Sequence, residues 1–144
     1  MASNSSQSTT GLSKPDYEAL AALRYALRQF LRFSEEAAAA EGLAPQQHQA
    51  LLAIKGFPGR EQITIGELAE KLQVRHHSAV GLVNRLTAEQ FVRRETAPDD
   101  GRKVLVTLTR RGERVLAKLS STHQEELRRV GPGFRALLDK IAME

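Results

Sequence analysis

The sequence predicts a mainly α fold: a winged helix-turn-helix carried between long N- and C-terminal helices, in the order α-α-α-α-β-β-α-α, with room for one short extra strand before the helix-turn-helix. Three observations predict it. Apolar residues recur every three or four positions towards both ends of the chain. Between residues 64 and 86, two short helical patterns are separated by a three-residue turn. From residue 91 to 109 the period drops to two around a cluster of turn residues. The chain has 144 residues and 41% of them are apolar, enough for one ordinary domain with a core. Residues 13–144 are read as that domain, with 13–42 and 110–144 as dimerisation helices and 45–109 as the winged unit. Residues 1–12 are read as a flexible tail, because Ser, Thr and Asn bury too little surface to offset the entropy of ordering them.

The elements follow in chain order. Ser13 and Asp16 stand at capping-box spacing, and Pro15 is tolerated in a first helical turn. Leu20, Leu23, Leu27, Phe30, Leu31 and Ser34 then form a stripe, "EEAAAAEG" extends the helix on propensity, and Gly42 stops it. "APQQHQALLAIKG" is a short helix with Ala50, Leu51 and Ile54 inward and Gly56 as terminator; "FPGREQ" reads as a loop. Thr64 and Glu67 form a second capping box, opening a helix that buries Ile65, Leu68, Ala69 and Leu72. After the turn Gln73-Val74-Arg75, Ala79, Leu82, Val83 and Leu86 give an i, i+3, i+4, i+7 set. Two strands follow around "APDDGR", with Val104, Val106 and Leu108 alternating with Lys103, Leu105 and Thr107. Thr109 caps a long helix lined by Val115, Leu116, Leu119, His123, Leu127 and Val130; "GPG" at 131–133 breaks it, and Phe134, Leu137, Leu138 and Ile141 form a last short helix. These terminal stripes exceed what residues 45–108 can cover. They predict pairing with a second copy through Leu20, Leu23, Leu27, Leu127, Phe134, Leu137, Leu138 and Ile141.

Composition narrows the function. There is no cysteine, so disulfides, thiolate catalysis and cysteine-bound zinc are excluded. No apolar run reaches the roughly 18 residues of a transmembrane helix, and the N-terminus has neither a basic nor an apolar signal region. The expectation is a cytoplasmic protein with no membrane partner. GxSxG, P-loop and GxGxxG patterns are absent, so no enzyme and no cofactor is expected. The net charge is only +4, but it is unevenly placed: residues 75–114 hold nine basic residues (75, 85, 93, 94, 102, 103, 110, 111, 114) against five acidic ones (89, 95, 99, 100, 113). A basic segment inside a folded region suits a polyanion.

The stretch "QVRHHSAVGLVNRL" concentrates that signal. A metal reading of His76 and His77 is weak, because adjacent helical residues diverge by about 100° and no further ligand stands at a suitable spacing. His123 lies on an apolar stripe and reads as a hydrogen-bonded interface histidine. In a winged helix-turn-helix the second helix enters the DNA major groove. Its outward residues here are His76, His77, Val80, Gly81, Asn84 and Arg85, and Arg75 and Ser78 belong to the same surface. Affinity is expected from Arg94, Arg102, Lys103 and Arg110 on phosphates, and specificity from His76, His77, Asn84 and Arg85. Arg110, Arg111 and Arg114 oppose the dipole of their own helix, which favours an outside partner for them. The other reading is a winged-helix protein-interaction module without DNA binding; charge on the second helix and wing discriminates against it.

Over residues 14–142 the chain resembles the MarR family of bacterial winged helix-turn-helix transcriptional regulators. The strongest segment is "ITIGELAEKLQVRHHSAVGLVNRLTAEQFVRRETAPDDGRKVLVTLTRRG", with the wing motif Asp100 and Arg102 followed by "VTLTRRG". The resemblance implies a homodimer whose terminal helices intertwine, reading duplex DNA at a pseudo-palindromic operator. It further implies a repressor that a small anionic or phenolic ligand releases. Family members often carry a capping Ser, Thr or Asp where Arg75 stands, so the cap here is expected from Ser78. A contact residue is common where Gly81 stands; the glycine either admits DNA closely or leaves that contact unmade.

Overall fold

The structure, a computed structural model, describes residues 11–98 and 100–142, and of Asp100 the backbone alone. The tail expectation for residues 1–10 and the side-chain part of the wing motif at Asp100 therefore lie outside the described residues. The elements are α1 (Lys14–Ala40), α2 (Pro45–Lys55), β1 (Gln62–Thr64), α3 (Ile65–Leu72), α4 (His76–Ala88), β2 (Val92–Ala97), β3 (Asp100–Leu108) and α5 (Arg110–Ala142). They form two compact units, one of residues 35–122 and one of the chain before 35 and from 123 onwards.

In the larger unit the strands form an antiparallel sheet in the order β1-β3-β2. The core gathers Leu51 and Ile54 of α2, Ile63 of β1, Leu68 of α3, Leu82, Val83 and Leu86 of α4, Val106 of β3 and Leu116 and Leu119 of α5. Helix α2 supplies the residues its periodicity marked and the α4 set Ala79, Leu82, Val83 and Leu86 is buried as expected, whereas α1 gives this core Ala38 and none of its marked stripe. The strand before the helix-turn-helix is present: Ile63 stands opposite Val106, inside the segment read as loop and cap.

Three helices end in the same way. After α1, Gly42 at φ 80° sends its N–H to the Ala39 carbonyl, and Leu43 N–H reaches the Ala38 carbonyl at 2.9 Å. These two hydrogen bonds, from left-handed Gly42 and from the residue after it, satisfy carbonyls that the helix end leaves open. Gln73 (φ 56°) closes α3 with Val74 N–H on the Ala69 carbonyl. Gln90 (φ 65°) closes α4 with Phe91 N–H on the Leu86 carbonyl. A non-glycine residue in this region costs about 1–2 kcal/mol; Gln73 offsets part of it by donating from Nε2 to the Glu70 carbonyl at 2.8 Å.

Two expectations need correction. The segment "GPG" does not break the last helix: α5 runs 33 residues with Pro132 inside it, so there are five helices among the described residues and not six. Proline removes one backbone donor and strains one turn. The apolar positions Leu127, Val130, Phe134, Leu137 and Ile141 nevertheless keep helical spacing straight across it, and this common stripe favours one continuous helix. The hairpin turn is also shorter than "APDDGR": β3 starts at Asp100, and the pairing shifts between Thr96 and Ala97. Consequently the hairpin extends past the core, and Val104, on the inward-facing set by alternation, is 39% exposed.

The smaller unit holds the exposed or half-exposed apolar residues of both chain ends, among them Leu20, Leu27, Leu127 and Leu138. In it His123 Nε2 lies 2.7 Å from the Ser34 hydroxyl, with the Phe30 and Phe33 rings edge-on to the imidazole. The reading of His123 as a hydrogen-bonded histidine holds in this contact within one chain.

Packing at the start of α5 is close. A Cβ on Gly112 would lie 2.1 Å from the Phe91 carbonyl oxygen, a backbone atom that cannot move aside cheaply. Gly112→Ala should therefore lower stability by about 1–3 kcal/mol, read as a shift of the denaturant midpoint. A second prediction concerns the α3 cap. Thr64 Oγ1 accepts the Glu67 N–H at 3.1 Å and Glu67 returns a carboxylate oxygen to the Thr64 N–H at 2.9 Å. Partial burial opposes ionisation of Glu67, but the Thr64 N–H, the Arg60 guanidinium and the Thr64 side chain outweigh it and hold the carboxyl below its ordinary value. A depressed carboxyl stabilises the fold above its unfolded value and loses that contribution as the pH falls below about 4.5. Glu67→Gln should thus be less stable than the parent at pH 7, with the gap narrowing as the pH falls through the acid range, measured by urea unfolding at each pH.

Candidate nucleic-acid interface

Helices α3 and α4 and the β2–β3 hairpin form a winged helix-turn-helix. Thr64 fixes the start of α3, Gln73 reverses the chain after it, and the buried set of α4 fixes which side of that helix faces out. His76, His77, Asn84 and Arg85 are exposed and Val80 and Gly81 half-buried, which leaves the predicted outward set on the surface. Arg75 and Ser78 are exposed beside them.

Arg75 is the N-cap of α4, and no side chain caps it. The expectation for Ser78 is corrected here: its N–H bonds the Arg75 carbonyl at 3.0 Å, while its hydroxyl makes no cap. Ser78 is the third helical residue. A side chain there must reach back to the cap N–H, as Glu67 does in α3, and serine is too short. The first turn of α4 thus presents N–H groups and the positive end of a helix dipole without a side-chain acceptor, on the basic side of the unit.

The wing joins this surface through one contact that spacing did not reveal. Arg94 of β2 donates from Nη2 to the Asn84 side-chain oxygen of α4. Two residues assigned different roles, phosphate anchoring and base reading, are therefore coupled. Arg102 and Lys103 lie exposed on β3, in the part of the hairpin beyond the core, and Arg110 is exposed at the first position of α5. Arg111 has an internal partner: its guanidinium lies 4.5 Å above the Phe91 ring. A cation–π contact thus offsets part of the dipole conflict for Arg111 within the chain.

A further basic pair escaped the sequence reading. Arg60 and Lys71 both stack on Phe57, at 4.5 and 5.4 Å from the ring centroid, and Arg60 also pairs with Glu67. The signal available was a single aromatic residue in a loop flanked by cations, a pattern with many other outcomes. His76 and His77 join no third ligand-type side chain: among the described residues no group of three His, Asp or Glu converges on a possible metal position. No described helix is long and apolar enough to cross a membrane.

Comparison with known proteins agrees with this architecture. Residues 41–103 match the model of the MarR family. The chain is 32% identical over 86 residues to a Bacillus subtilis (strain 168) protein named as an uncharacterized HTH-type transcriptional regulator, YsmB, and the match spans 59% of that protein's length. Among solved structures, AbsC of Streptomyces coelicolor, described as a MarR family transcriptional regulator, superposes with a TM-score of 0.73 at 21% identity over 90% of both chains. A MarR family protein of Bacillus stearothermophilus superposes with a TM-score of 0.70 at 24% identity, covering 79% of this chain and 77% of its own. Those two likenesses are likenesses of fold, and the family model falls on the segment that carries the helix-turn-helix and most of the wing. By that segment the chain is similar to the MarR family, and the fold around it is that of solved MarR family structures.

Proposed function

We propose that the protein is a sequence-specific, double-stranded DNA-binding transcriptional regulator: a cytoplasmic repressor that acts as a homodimer on a pseudo-palindromic operator. The observation that carries the proposal is the outward face of α4. It offers His76, His77, Asn84 and Arg85 at the surface, with Arg94 tied to it from β2 and Arg102 and Lys103 on the adjacent hairpin. Donor side chains on a helix of this kind suit base edges in the major groove, and the cations suit phosphates. The similarity of residues 41–103 to the MarR family supports the same role.

Dimerisation is supported by the smaller unit. Leu127 and Leu138 of α5 are 45% and 52% exposed, Leu20 and Leu27 of α1 are exposed with them, and Leu23, Phe134, Leu137 and Ile141 are only half-buried. Burial is worth about 25 cal/mol per Å² of apolar surface, so covering such a stripe with a second copy is favourable. Release of the operator by a small anionic or phenolic ligand is part of the proposal and draws its support from the family alone.

Selection of duplexes from a random pool by the purified full-length protein tests the role directly; enrichment of an inverted-repeat motif is expected, and a pool that stays random overturns it. Arg102→Ala should weaken binding to every enriched duplex alike and make the fall of log K with log salt shallower by about 0.9 for each phosphate no longer neutralised, with the melting temperature little changed. Sedimentation equilibrium at micromolar concentration should give a dimer for the full chain. A chain ending at residue 133, which lacks Phe134, Leu137, Leu138 and Ile141, should shift towards monomer and lose operator binding with it.

A further inference from the structure

Arginine has no hydrogen-bond acceptor. The Asn84 atom that meets Arg94 Nη2 must therefore be the carbonyl oxygen Oδ1, whichever way an amide is otherwise assigned. The amide nitrogen then turns away from Arg94, and Asn84 is exposed. A free asparagine reads adenine with both atoms, accepting from the N6 amino group and donating to N7. Here the accepting half is occupied by a neighbour on the wing.

What is left facing outward is a set of donors. Asn84 keeps its amide N–H groups, Arg94 keeps the guanidinium donors not spent on Oδ1, and Arg85 one residue along adds more. In the major groove only guanine presents two acceptors, N7 and O6, with no donor beside them; adenine places its N6 amino group where a second donor would oppose it. Gly81 keeps the approach open. A helical side chain leans over the turn before its own Cα, so Asn84 leans towards residues 80 and 81. A Cβ at Gly81 would meet nothing closer than Arg85 Nη1 at 4.0 Å. The fold has room for a side chain there and forgoes roughly 1 kcal/mol by having glycine instead of alanine.

We propose that Arg94 acts as a positioning residue that makes Asn84 a guanine reader, a specificity assignment that rests on the DNA-binding role above. Arg94 thereby sets sequence preference in addition to any phosphate contact of its own. The test is base preference and not affinity. Duplexes are selected from a random pool by the full-length wild type, Asn84→Ala and Arg94→Ala, with thermal melts to confirm that each variant is folded. The wild type should enrich a guanine in each half-site whose preference over adenine is about tenfold, the scale of one good base contact, and Asn84→Ala should lose it. In Arg94→Ala, Oδ1 is released, and the same position should move to adenine. A guanine retained at full preference in Arg94→Ala overturns the positioning role, and a motif unchanged at every position in Asn84→Ala overturns Asn84 as a reader. A wild type that enriches no motif at all removes the DNA-binding role itself, an outcome distinct from both.

Discussion

The turn at Gln73 is the constraint on which the surface depends. A left-handed residue there closes α3 by two backbone bonds and turns the chain so that α4 starts only three residues later. From that point the orientation of α4 is set by burial alone. Ala79, Leu82, Val83 and Leu86 go to the core shared with Ile54, Leu68 and Val106. Everything at the complementary angle, from His76 to Arg85, is delivered to the outside. The same core fixes the hairpin, because Val92, Val106 and Leu108 are buried with it while residues 101–104 run on beyond. A strained residue of about 1–2 kcal/mol is tolerable where it decides the direction of a whole helix.

The elements most legible in the sequence were those whose signals are local and redundant. The Thr64–Glu67 capping box, the Gly42 terminator, the α4 burial set and the Thr109 cap, whose Oγ1 accepts Gly112 N–H at 3.1 Å, all stand as read, while at Ser13 only the Asp16 half of the box forms, its carboxylate accepting the Ser13 N–H at 2.9 Å. The misreadings share a cause: each weighed a residue's intrinsic tendency without its context. "GPG" is a helix breaker in isolation, yet α5 carries it where the apolar stripe runs through. Asp100 and Gly101 are turn formers, yet the shifted pairing beside Ala97 takes them into β3. Ser78 is a capping residue type at a position where serine cannot cap. The terminators Gln73 and Gln90 were invisible because nothing in a glutamine predicts positive φ; only the packing on either side demands it.

The candidate site was legible as a list of residues but not as an arrangement. Alternation and periodicity place Asn84 and Arg94 on the surface of their own elements. They carry no information about two side chains ten residues apart across a helix and a strand. Arg111 makes the same point in the opposite direction: a cation in an unfavourable dipole suggests an external partner, and the Phe91 ring beneath it gives it an internal one that spacing does not show. Charge counted along a sequence overstates what is free for a ligand, since Arg60, Lys71 and Arg111 all spend part of theirs on aromatic rings.

Thr64 closes β1 opposite Leu105 and also caps α3. One residue thus belongs to two kinds of order at once, the register of the sheet and the start of a helix. Sliding β1 by a single position would turn Ile63 from the core to the other face of the sheet. The Thr64–Glu67 bonds would travel with the strand, so the start of α3 would be displaced by the same step from the core that receives Leu68. Sheet alignment and helix placement thus act as a single degree of freedom: neither can be adjusted without moving the other.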